Sequence, residues 1–172
     1  MENISFENLI NETNKTNNES MINNEELDEI LQLKKHTENE LMELKQKLSS
    51  KINHLAQETS EIRKMAETMV YLVSLRQEIV DIISDKKGLV IDLTNIRKMF
   101  YKVYFEEEYK NNPIKLSFKI RDDLIESKLK DIDSALDTVK NCVDYLNQSL
   151  KTVDALIFFL KDRLELYKQI GS

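Results

Sequence analysis

A chain of 172 residues with one proline and two glycines lacks the residues that turns demand, which argues against loop-rich and many-stranded folds. Charged residues make up 33% and hydrophobic ones 41%, a balance that suits amphipathic helices with much exposed surface. The net charge of −6 offers no basic field, which disfavours nucleic acid and anionic membranes as partners.

Residues 1–24 read as a flexible acidic tail. Ile4, Phe6, Leu9 and Ile10 form a short apolar motif, and the Asn, Glu, Thr, Ser and Lys that follow cannot bury enough to order themselves. The rest, 25–172, reads as one helical hairpin or bundle domain.

A first long helix is expected from about Glu25 to Ser84, capped by Asn23 with Glu26 as its reciprocal partner. Its apolar seam runs through Leu27, Ile30, Leu41, Leu44, Leu48, Leu55, Ile62, Met65, Met69, Leu72, Ile79 and Ile83. Lys34, Thr37, Lys51, Glu58 and Arg76 occupy seam positions and interrupt it; Ser49-Ser50-Lys51 and Glu58-Thr59 either fix register and partner, as buried polar residues in coiled coils often do, or mark a local bend or a solvated stretch. From Met65 onward the apolar surface broadens to include Val70, Val73, Leu75, Val80 and Ile82. Asp85 to Gly88 is expected to end the helix, with Gly88 as a left-handed cap. A short second helix, Asp92 to Tyr109, should follow with Leu93, Ile96, Phe100 and Val103 inward. A β-hairpin competes here, because Tyr101, Val103 and Phe105 alternate, as do Ile114, Leu116, Phe118 and Ile120.

The third helix, about Pro113 to Ile170, carries an unbroken heptad seam. Ile125, Leu129, Ile132, Leu136, Val139, Val143, Leu146, Leu150, Val153, Ile157, Leu160, Leu164 and Tyr167 alternate steps of four and three. A 3.5-residue repeat keeps one stripe of a helix against a partner helix. The expected fold is therefore all-α: an elongated antiparallel coiled-coil hairpin of two long helices with a short third helix near the connecting end. Its register would place Ser84 near Pro113 and Leu27 near Ile170. Leucine at the a positions, β-branched residues at d, and small or apolar residues at Ala135, Cys142, Ser149 and Leu156 favour bundles of more than two helices.

Ala155, Phe158, Phe159 and Leu166 fall off that seam, on the back of the third helix. Adjacent phenylalanines in the open make an apolar patch that calls for a cover. A second chain is the favoured cover, and the Ile4–Ile10 segment is the other candidate.

Little in the chain points to catalysis, and no cofactor or metal is expected. Near-absence of glycine excludes a glycine-rich phosphate loop. His36 and His54 are too far apart on one helix to share a metal. Cys142 is the only cysteine, so no intrachain disulfide forms, and its seam-flanking position suits packing. Lys86-Lys87 and Arg97-Lys98 near Phe100, Tyr101 and Tyr104 could touch phosphate, but Glu106-Glu107-Glu108 offset them. The N-terminus shows no basic region followed by an apolar run, and no stretch is long and apolar enough to span a bilayer, so an intracellular, cytoplasmic location is expected. The residues thus describe a non-enzymatic coiled-coil scaffold or assembly subunit, joined as a homo-oligomer or to other helical subunits. A nucleic-acid-associated accessory protein and a membrane-interacting helical protein are the alternatives.

Overall fold

The computed structural model describes residues 24–57, 62–111 and 117–170. They form three helices: α1, Asn24–Gln57; α2, Ile62–Asn111; and α3, Phe118–Ile170. Among the described residues there is no strand, so the chain is all-α. Among those residues, too, no helix is long and apolar enough to cross a membrane.

Two differences from the expected boundaries have physical reasons. The first long helix is two helices, α1 ending at Gln57 and α2 beginning at Ile62. α2 then continues through Gly88 to Asn111, so the separate short helix and the cap at Gly88 do not exist. Gly88 has no positive φ. A glycine inside a helix costs only about 1 kcal/mol. Ile83 and Leu93, buried on either side of it, each contribute about 1.5–3 kcal/mol. Tyr101, Val103, Phe105, Phe118 and Ile120 are likewise helical, which removes the strand reading there; Ile114 and Leu116 lie outside the described residues.

α3 starts at Phe118 rather than Pro113. The Ser117 hydroxyl accepts the Ile120 backbone N–H at 3.4 Å, and the Ser117 carbonyl takes the Arg121 N–H at 3.2 Å. Those contacts cap the first turn. The expected cap at Asn23 lies outside the described residues, as does the apolar motif Ile4, Phe6, Leu9 and Ile10.

Contacts sort the chain into two compact units, and each helix contributes to both. The first combines Met1–Lys35 with Asp92–Leu136. Its core is Ile30, Ile96, Phe100, Ile125, Leu129, Ile132 and Ala135, with Leu27 packed against it. Leu27 therefore joins Ile96 and Ile125, and the register expected for it opposite Ile170 is not the one adopted. Arg97 binds both Glu126 and Asp133, while Tyr101 reaches back to Asp122, so α2 and α3 run antiparallel here.

The second unit combines His36–Ile91 with Asp137–Ser172. Leu44, Leu48, Met65, Leu72, Leu75, Ile79, Ile83, Cys142, Val143, Leu146, Val153 and Leu160 form its core. Lys47 and Lys51 of α1 both reach Glu78, and Glu40 takes Lys86, so α1 and α2 are antiparallel. Arg76 binds Asp154 at 2.7 Å and ties α2 to α3. Three helices around one core explain the wide strip on α3. Ala135, in the first unit, and Cys142 and Ser149, in the second, are buried along with the seam because α1 and α2 both lean on that side.

Candidate helix-association surface

The seam of α3 distributes plainly. Ile125, Leu129, Ile132 and Leu136 are buried in the first unit, and Val139, Val143, Leu146, Val153 and Leu160 in the second. Leu150, Ile157 and Leu164 are half-buried, and Tyr167 is exposed.

The remaining candidates lie at the far end of α3 in the second unit, and α1 explains their exposure. The Tyr145 hydroxyl donates to the Lys45 carbonyl at 3.5 Å, which fixes how α1 lies along α3. Gln57, where α1 ends, is as far beyond Lys45 as Ile157 is beyond Tyr145. Tyr145, Thr152, Phe159 and Leu166 are spaced by heptads, so they share one stripe, which touches α1 at Tyr145 and is already exposed at Thr152. Past Ile157 that stripe continues without α1 beside it among the described residues. Phe159 is 48% exposed and Leu166 56%. Phe158, on the outer side of α3, is 66% exposed, and Ala155 one turn earlier is also exposed. Arg163 lies over the Phe159 ring, 5.6 Å from its centroid, a cation–π contact that leaves the other ring face open.

α2 adds to the apolar surface of this unit. Val70, Tyr71 and Val73 are exposed, so the two valines of the broadened apolar stripe stand open. Leu75 is buried and Val80 and Ile82 are half-buried, so only part of that broad stripe found neighbours. Tyr71 also lines an open groove of about 560 Å³ with Lys51, His54, Leu55, Glu67 and Ser74. Lys51 is exposed and bonded to Glu78, and Arg76 is exposed and bonded to Asp154. Neither is a buried polar residue setting register; each is a long side chain whose head sits at the helix boundary.

The first unit exposes a surface that the pattern missed. Tyr101, Phe105 and Tyr109 stack one turn apart, with centroids 6.4 Å apart at each step. The Tyr101 hydroxyl donates to Asp122 at 2.6 Å; that bond to a carboxylate, with burial adding, raises its pKa. Arg121 lies over the Tyr109 ring and Lys128 over Tyr104. Tyr109, Phe118, Ile120 and Leu124 are exposed. Phe118 and Ile120 belonged to the alternation that resembled a strand; in α3 they stand two residues apart and face different sides.

Two of the four basic candidates, Lys86 and Arg97, are committed elsewhere, while Lys87 and Lys98 are exposed. Lys86 is paired with Glu40, and Arg97 with Asp133 and Glu126, whose carboxylates hold the guanidinium pKa up. Lys128 takes Glu108 from the acidic run. Cys142 is fully buried, and that burial pushes its thiol pKa up, away from the reactive thiolate. His36 and His54 are exposed. Among the described residues no three histidine, cysteine or acidic side chains group as a metal site would require.

No protein-family profile matches this chain, and no curated protein or solved structure matches it. The geometry of the surface is therefore the ground for a functional reading.

Proposed function

We propose that this chain is a coiled-coil scaffold or assembly subunit that works by binding helices along its own. One observation carries the reading: the stripe of α3 that packs on α1 at Tyr145 runs on past the end of α1 and leaves Phe159 and Leu166 exposed beside Phe158. A helix added there would continue a seam that α3 already presents, and burying such side chains is worth about 1.5–3 kcal/mol each. Exposed aromatic residues of this size are the anchors that helix-in-groove contacts use.

The nucleic-acid reading loses its footing, because Lys86 and Arg97 are spent on carboxylates of the same unit. The membrane reading would need a broader apolar face than a stripe bordered by Asp162, Arg163 and Glu165.

The test is a photo-crosslinking residue placed at Phe158 in the full-length chain in its own cells, with Lys87 as the control position. Protein adducts at Phe158, whether with the chain itself or with another protein, are expected at far higher yield than at Lys87. Equal, background-level yields at the two positions would overturn the proposal.

A further inference from the structure

The outer face of α3 in the second unit carries a second heptad stripe. Gln148, Lys151, Ala155, Phe158, Asp162 and Glu165 alternate steps of three and four, and all six are exposed. Along the helix the stripe reads amide, base, small, aromatic, acid, acid. Laid against itself in reverse, it complements itself. Lys151 falls opposite Asp162, Ala155 opposite Phe158, and Gln148 opposite Glu165. Laid parallel in register, it sets lysine on lysine and acid on acid, which is unfavourable.

We propose that this face is the interface for a second copy of the chain, joined as a two-fold antiparallel helix pair. Phe158 of each copy seats over Ala155 of the other, where the short side chain leaves room for a ring. Lys151 of each copy faces Asp162 of the other. Two-fold symmetry makes every such pair occur twice, so a self-complementary stripe gains doubly from each match. The proposal rests on the reading above, that the exposed end of α3 binds helices, and adds the occupant, the orientation and an outer face that holds Phe158 rather than the stripe of Phe159 and Leu166.

Sedimentation equilibrium of full-length wild type, K151E, D162K and a one-to-one mixture of the two variants tests it, with circular dichroism showing each variant to be folded. Wild type is expected to dimerise. Each variant alone sets two like-charged pairs against each other and should dimerise about tenfold more weakly. The mixture should recover wild-type strength, because in the mixed dimer both pairs again join opposite charges. A dimer that neither variant weakens, or that the mixture fails to restore, overturns the face or the orientation. A wild-type monomer whose Phe158 crosslinks to a different protein overturns the second copy as occupant while the scaffold reading stands. Background-level crosslinking at Phe158 sinks the scaffold reading itself.

Discussion

Thr37 is fully buried in α1, and its hydroxyl oxygen has no hydrogen-bond partner among the described residues. A buried hydroxyl without a partner costs about 1–3 kcal/mol. Thr37→Val keeps the shape and removes the cost, so urea unfolding should show a gain of about 1 kcal/mol. A loss instead would mean that the hydroxyl is bonded, for example to a buried water. In the sequence Thr37 looked like a gap in the seam; its spacing was right for burial and only its chemistry disguised it. Glu78 gives a pH prediction. Hydrogen bonds from Lys47, then Lys51, hold its carboxyl below the ordinary 4.5, with burial pulling the other way. A carboxyl whose pKa is depressed on folding stabilises fully above its unfolded value and loses that contribution as pH falls through the folded one. Glu78→Gln should therefore lower stability at neutral pH, and the difference from wild type should vanish as acid passes below the usual glutamate range. The lysines are exposed, so solvent screening keeps the effect small. A difference that persists unchanged into acid would remove the ion pairs as its cause.

The helices show what a periodic pattern reveals and what it hides. The seam of α3 was legible because burial at a spacing of three and four is a property of period, and Ile125, Leu129 and Ile132 follow it to complete burial. Helix ends are set by few residues, and there the reading failed. Gly88 looked like a terminator, yet an ordinary helical φ leaves it in line with α2. Glu58-Thr59-Ser60-Glu61, between α1 and α2 in the sequence, holds neither glycine nor proline, so its signal was the polar break in the seam at Glu58-Thr59. Missing that boundary merged α1 with the first part of α2, and with it went the register expected between the long helices. Of the candidate surface, Phe158, Phe159 and Leu166 were legible as residues off the seam, but why they stand open depends on where α1 stops. Gly88→Ala follows from the corrected element. A Cβ at Gly88 would meet nothing within 4 Å. The substitution should raise stability by about 0.5–1 kcal/mol, read as a higher melting temperature. A lower one would show that α2 needs the glycine.

At the scale of the whole chain, charge is the quantity that weighs against a nucleic-acid partner. Net −6 with Lys86 and Arg97 already neutralised leaves little to attract phosphate. Filter binding of duplex DNA should show no retention at moderate salt; retention that falls steeply as salt rises would restore a phosphate-binding role. The single cysteine has a further consequence. Cys142 sits at zero exposure between packed helices, and it is the only thiol in the sequence. An alkylating reagent can reach it only when the second unit opens, so the rate of modification at high reagent concentration clocks that opening directly. Any cysteine introduced on the outside of a helix would react long before it. The native chain is thus ready for site-directed labelling without first removing its own sulfur, and it carries its own gauge of whether a label has loosened the core.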